Sequence, residues 1–418
     1  SKQKPRQAPM ANLITDVGSP ENVGMSSERL LKIDNALQRY VDQEKLSGVV
    51  ALIAREEQAV YFERFGQMSR ETGMPMQSDT IFRIASMTKP VTSVAAMTLW
   101  EEGRFQLDDL VSRYIPKLGS LKVLQDGNVA VNNLVEPERQ MTVRDLLRHT
   151  SGLSYGISLL EASPVNKIYQ DADLRNANQT LEEMTLKLSQ LPLAGHPGAE
   201  WRYSIATDVL ARLVEVISGM PFDEYLSHSI FDPLSMNDTG FHVPQEKIER
   251  FATVYGLTPS GKLSPIGLPT EKRYTQRPGF LSGGDGLVST APDYLKFCQM
   301  MLNGGVLGDA RILGRRTVDL MTINHLQPES MPFQISRTMS GFTKGYGFGL
   351  GFAVMTDLTQ STAMGSEGEY NWGGAATTFF WVDPQEHLIG ILMTQFMPMY
   401  HYNIDREFRI LAYQALVD

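Results

Sequence analysis

Apolar residues return at Leu30, Leu31, Ile33, Leu37 and Tyr40 in "SSERLLKIDNALQRYVDQEKL", a spacing that predicts an amphipathic helix capped by Ser26 or Ser27. The pattern then changes. "GVVALIAREEQAVYFERFG" carries two β-rich runs around the polar "REEQ", which predicts a hairpin. "SMTKPVTSVAAMTLWEEGRF" follows as a helix, so apolar through its middle that burial is expected. From about residue 100 to 270 helical patterns dominate, among them "MTVRDLLRHT" and "ATDVLARLVEVISGM", separated by loops rich in Pro, Gly and Asn. Strand character returns in "YGFGLGFAVM", "AATTFFWVD" and "HLIGILMTQF", with "DPQE" turning between the last two, and "DREFRILAYQALV" closes the chain as a helix. Helix and hairpin at one end, strands and helix at the other, predict one antiparallel sheet built by both chain ends, hence an α+β fold. The expected division is a polar tail over 1–24, a sheet domain over 25–95 and 281–418, and an inserted mainly helical domain over 96–280.

Composition narrows the function classes. A chain of 418 residues can bury a large core in two or three domains. Its 38 Lys and Arg against 47 Asp and Glu leave a net charge of −9, with no dense basic block after the first few residues, which argues against a nucleic-acid partner. Cys298 is alone, so no intramolecular disulfide forms, and in "YLKFCQMML" it reads as a buried thiol on an apolar helix face. "GVVALIA" is far short of the roughly 20 residues that span a bilayer, and the first residues lack a signal-peptide core. No membrane span is expected; the compartment is read as cytoplasmic, with export after removal of a leader as the alternative. The seven His show no H-x-x-x-H or H-E-x-x-H spacing and "YGFGLGF" lacks G-x-G-x-x-G, so neither a metal nor a cofactor is expected. His149, at a helix end, is read as a partner of the helix dipole or nearby backbone.

Two serines compete for a chemical role. Gly152-Leu153-Ser154-Tyr155-Gly156 matches G-x-S-x-G, a signature that needs a sharp strand-to-helix turn to lift the hydroxyl clear of the backbone. What precedes Ser154 is different: Thr142 and Asp145 have capping-box spacing and open a helix expected to end at Ser151-Gly152. Ser154 is therefore read as loop punctuation. In "FRIASMTKPV", Ser86 and Lys89 form S-x-x-K, and Pro90 requires that a helix begin nearby, which puts both side chains on one face. An apolar setting should lower the pKa of Lys89 and let it act as base toward Ser86. The helix N-terminus adds partial positive charge where an oxyanion would form. Ser1 and Lys4 match S-x-x-K as well, so the company the motif keeps must decide.

That company is Tyr203-Ser204 in "HPGAEWRYSIATDVL" and Trp372-Gly373-Gly374 in "GEYNWGGAATTFFWVD". With "RIASMTKP", "LLRHTSGLS" and "GGDGLVSTAPDYLKF", in this order and spacing, the chain resembles the family VIII carboxylesterases, relatives of class C β-lactamases and D-alanyl-D-alanine carboxypeptidases. The resemblance runs from about residue 25 to the C-terminus. It implies a β-lactamase/penicillin-binding-protein-like fold with the active site between the sheet and helical domains. It further implies Ser86 as acylated nucleophile, Lys89 as base, and Tyr203 as second acid/base, with an oxyanion hole from the backbone N–H groups of Ser86 and Ala375. A phenol beside a cationic lysine has its phenolate favoured, which suits Tyr203 to that relay.

The substrate pocket implied by the resemblance includes Trp372, Gly373, Gly374 and Ile205. Trp372 stands where the relatives have the Lys of Lys-Thr-Gly, and Ile205 where they commonly have the Asn of Tyr-x-Asn. Both departures remove groups that hold penicillins and peptide termini and favour neutral acyl esters. The expected activity is serine carboxylester hydrolysis on short- to medium-chain esters, with weak β-lactam hydrolysis possible. The alternatives are a class C-like β-lactamase or D-Ala-D-Ala carboxypeptidase, an acyltransferase using the same acyl-enzyme, and a catalytically silent binder of acyl or peptidoglycan-like ligands. The expected partner is a small-molecule ester.

Overall fold

Helix α1 (Ser27–Asp42) begins where Ser26, in an extended conformation, accepts a hydrogen bond from Arg29 N–H. Its stripe of Leu30, Ile33, Ala36 and Leu37 is buried, but Leu31 stands 60% exposed, because one step along a helix turns a side chain about 100° from its neighbour. The computed structural model describes residues 15–125, 133–157, 160, 163–331, 333–335 and 342–418. Most of the expected tail over 1–24 lies outside these, as do Ser1 and Lys4.

Strands β1 (Gly48–Arg55) and β2 (Gln58–Ser69) form the expected hairpin, closed by Glu56 and Glu57 at φ 50° and 64°. Two left-handed residues in a two-residue turn match the right-handed twist of the strands, and both glutamates remain exposed. Every residue of β1 is buried. Val49, Ala51 and Ile53 face one hydrophobic cluster with α1, and Val50, Leu52 and Ala54 face another on the opposite side. A strand covered on both faces reads as a continuous apolar run, which explains "GVVALIA". Strand β3 (Met74–Pro75) is a short edge strand beside β2.

Helix α2 (Thr88–Glu101) is buried along most of its length and packs against α4 (Ala206–Ser218). Helix α3 (Val143–Arg148) packs on α4 and is opened by the expected capping box of Thr142 and Asp145. It ends earlier than the sequence predicts, at His149 in a left-handed conformation, φ 58°. Helix α5 (Ala291–Leu302) buries Cys298 completely. Strands β4 (Tyr346–Phe348), β5 (Ala353–Met355), β6 (Tyr370–Gly374), β7 (Thr378–Asp383) and β8 (Leu388–Met393) follow, then helix α6 (Ile404–Tyr413), packed on α1.

The sheet order is β4-β5-β6-β7-β8-β1-β2-β3, antiparallel at every pair. The chain ends meet at β1 and β8, with Val50 opposite Met393 and Leu52 opposite Ile391. The span from 96 to 280 is not wholly helical: Val123–Leu124 pairs with Leu134–Val135. A hairpin of Val254–Leu257 and Leu263–Gly267, turning through Gly261 at φ 81°, joins the sheet side through Tyr255 N–H to Gln395 O and Met397 N–H to Tyr255 O, both 2.9 Å.

Candidate active site

Ser86 sits in a single turn, Ala85–Met87, immediately before α2. Ala85 has φ 44°, a conformation that costs a residue with a Cβ on the order of 1–3 kcal/mol and that recurs where a side chain must be held at an unusual angle. Pro90 is tolerated because it lies in the first helical turn, where its missing N–H breaks no bond. The same turn brings Lys89 beside Ser86, with Nζ 3.2 Å from Oγ.

Lys89 is 2% exposed and uses all three donors of its ammonium group: to Ser86 Oγ, to Tyr155 Oη at 2.8 Å and to Gly284 O at 2.8 Å. The expected fall in its pKa is not found. Burial pulls it down, but the negative charge that Tyr155 or Tyr203 carries on losing a proton, with the hydrogen bonds to both, holds the ammonium above the usual lysine range. Burial likewise raises the Tyr155 phenol, against the attraction of Lys89. The two phenols thus offset burial, and the lowering expected of Lys89 is absent.

Tyr203, in the extended segment before α4, donates to Ser86 Oγ at 2.7 Å. Its ring is held by Trp201, stacked at 5.8 Å, by Tyr155 and His149 at 5.2 Å each, and by Trp372 at 5.5 Å. The Trp372 indole N–H donates to Tyr203 Oη at 3.4 Å. His149 caps α3 with its backbone, but its ring is buried among Trp201, Tyr203 and Phe348, and burial with the nearby Lys89 charge drives its pKa down. A neutral ring cannot act as the cationic partner of the helix dipole, so His149 supports Tyr203 from behind instead.

These groups open onto one cavity of about 760 Å³. Ser86, Tyr155, Tyr203, Trp372, Gly373 and Ala375 line it. Ile205 and Gly374 do not. Ile205 is fully buried, and its N–H bonds Ser154 O at 3.0 Å. A Cβ on Gly374 would lie 2.3 Å from Ile84 O, so this glycine lets the end of β6 dock against the Ser86 turn. Thr378 Oγ1 reaches the same carbonyl at 3.4 Å.

Ser154 does not line the cavity. It is wholly buried, and its hydroxyl donates to Asn166 Oδ1 at 3.1 Å, an atom that also accepts from Gly156 N–H at 2.7 Å and Ile157 N–H at 3.2 Å. Gly152 has φ 85° and its missing Cβ admits Gly195 O. The G-x-S-x-G stretch is thus a braced loop, and the residue it delivers to the site is Tyr155. The sequence reading missed Tyr155; its one signal was an aromatic residue between Ser154 and Gly156. Also missed was the Gly284 carbonyl, held near Lys89 by Asp208, which accepts from Ser282 Oγ at 2.5 Å and Gly284 N–H at 3.3 Å.

Among the described residues no group of three or more His, Cys, Asp or Glu is placed to hold a metal, and no helix is long and apolar enough to cross a membrane.

Comparison with known proteins points one way. Protein Rv1367c of Mycobacterium tuberculosis is 35% identical over 87% of this chain and 89% of its own length. Esterase EstB of Burkholderia gladioli is 30% identical over the same shares of the two chains. The solved structure of EstCE1, described as a hydrolase with promiscuous acyltransferase activity, superimposes with a TM-score of 0.77 at 28% identity, covering 94% of this chain and 99% of its own. The model of the beta-lactamase family matches residues 33–415, nearly the whole chain, and the protein belongs to that family.

Proposed function

We propose that the protein is a serine carboxylester hydrolase of the family VIII type, acting through an acyl-enzyme on Ser86. The observation that carries this reading is the Ser86 hydroxyl, bonded to both Lys89 Nζ and Tyr203 Oη at the wall of a large cavity. Kinship with an esterase and with a hydrolase that also transfers acyl groups supports it.

In the reactive state the Lys89–Tyr203 pair has given one proton to solvent, and the Ser86 proton passes to Tyr203 Oη as Oγ bonds to the ester carbonyl carbon. The Lys89 ammonium, 4.6 Å from the Tyr203 ring centre, supplies the compensating positive charge. The carbonyl oxygen gathers negative charge near the backbone N–H groups of Ser86 and Ala375. Collapse breaks the bond to the alcohol, which leaves with the proton returned by Tyr203. Water then attacks the acyl carbon and gives its proton to Tyr203, and the acid departs as that proton returns to Ser86. Lys89 stays charged throughout and serves as an electrostatic anchor.

Trp372 gives the pocket an apolar wall where a lysine would attract a carboxylate, which favours short- to medium-chain acyl esters over penicillins. An alcohol in place of water in the second half gives acyl transfer, the second reading, favoured by the likeness to EstCE1. Treatment with an activated alkyl phosphonate ester should label Ser86, located by peptide mass spectrometry, and Ser86→Ala should abolish hydrolysis of a p-nitrophenyl ester. Label on Ser154, or substantial turnover by the Ala variant, would sink the assignment.

A further inference from the structure

One wall of the cavity carries charge that ester hydrolysis does not use. Arg175 and Arg273 both donate to the same oxygen of Asp285, at 2.8 Å and 3.0 Å, and all three residues line the cavity with Ser86. Among the described residues these are the only hydrogen bonds either guanidinium makes, although each carries five donors. Both side chains are 35% exposed, and Asp285 17%. The neighbouring Arg83 is matched by Glu271 at 3.2 Å.

One carboxylate thus serves two guanidiniums, and among the described residues most of their forked donors are left unused. The pair is close to the chemistry: the Arg175 guanidinium lies 5.7 Å from the Tyr155 ring, and Tyr155 is bonded to Lys89. Gly284, which accepts from Lys89, directly precedes Asp285.

Building on the proposed hydrolysis at Ser86, we propose that Arg175 and Arg273 form a carboxylate-binding subsite, so that preferred substrates are esters carrying a carboxylate. Two planar guanidiniums held side by side by one acid present the donor geometry a carboxylate takes in bidentate fashion. The cation absent at Trp372 is thereby supplied from another wall, and Trp372 sets the apolar part of the substrate rather than excluding anions.

The test uses hydrolysis of a neutral p-nitrophenyl ester, inhibited by glutarate or by its uncharged counterpart glutaramide. Glutarate should compete roughly tenfold more strongly, the gain expected from about one charged hydrogen bond. R175Q and R273Q should each bring the ratio of the two inhibition constants toward one, and R273K should keep most of it. Equal inhibition in the parent enzyme, or a ratio unmoved in both Gln variants, overturns the subsite. R273Q, on the short helix Lys272–Thr275, decides the matter if R175Q does not fold. Should the neutral ester not be hydrolysed at all, the Ser86 reading fails, and calorimetric titration of both compounds still tests the anion site.

Discussion

Replacing Tyr155 by Phe removes one oxygen and leaves the ring. That oxygen is one of three acceptors around the Lys89 ammonium, at 2.8 Å, and Lys89 is 2% exposed, so water has little access to take its place. A buried hydrogen bond with one charged partner is worth about 1.5–3 kcal/mol. If the loss falls on the transition state, where Lys89 balances the negative charge passing between Ser86 and Tyr203, kcat/KM drops roughly ten- to hundredfold at about 1.4 kcal/mol per decade. The ring contacts with Tyr203 at 5.2 Å survive, so KM should move less than kcat. Steady-state kinetics on p-nitrophenyl butyrate, with circular dichroism to establish folding, make the measurement. A folded Tyr155→Phe enzyme within twofold of the parent would refute the claim that Lys89 works as an anchored cation.

Asp145 is buried with bonds from Arg139 at 2.6 Å, Arg148 at 3.3 Å, Thr150 Oγ1 at 2.6 Å and Thr142 N–H at 2.9 Å. Burial raises its pKa, but these donors outweigh burial and hold it below the ordinary value. A depressed folded pKa gives stability that is present above the unfolded value near 3.9 and lost as pH falls through the folded one. Asp145→Asn should therefore lower stability at pH 7 by about 2–4 kcal/mol while showing less further loss on acidification, read from urea unfolding at pH 7 and pH 3. Gly374→Ala drives a Cβ toward Ile84 O and should displace the Ser86 turn, costing both thermal stability and at least tenfold in kcat; an unchanged kcat would show that the turn does not rely on β6. Trp372→Phe keeps an apolar wall but loses the 3.4 Å bond to Tyr203, so only a few-fold loss in kcat is expected on a neutral ester.

Local periodicity was enough for the framework. The apolar run of β1, the hairpin, the capping box at Thr142 and the strands from 370 onward follow from short-range rules, and their pairing follows from apolar faces needing cover. The hairpin at 254–267 escaped because its second strand, "LSPIG", has weak alternation, and its first strand is tied through Tyr255 to Gln395 and Met397, far along the chain. The site was legible where motifs carried it, at Ser86, Lys89, Tyr203 and Trp372. Tyr155 and the Gly284 carbonyl were not, because they reach Lys89 by loop geometry that no spacing rule encodes. The pKa of Lys89 was expected to fall for the same reason: burial and Tyr203 were foreseen, the Tyr155 phenol was not. Arg175 and Arg273, distant in sequence from each other and from Ser86, acquire meaning only once Asp285 joins them.

Strand β1 has a consequence for how the protein is made. On the ribosome β2 emerges directly after it and covers one edge, but the other edge waits for β8. At about 5–20 residues per second, the interval between Val50 and Met393 lasts on the order of tens of seconds. Throughout it, a strand apolar on both faces exposes unpaired backbone groups to every other nascent chain nearby. Chaperone supply and synthesis rate, more than the stability of the finished protein, should therefore govern the yield of soluble enzyme. A chain ending before Trp372 also lacks β7 and β8, so the sheet and that wall of the cavity form only as synthesis nears its end.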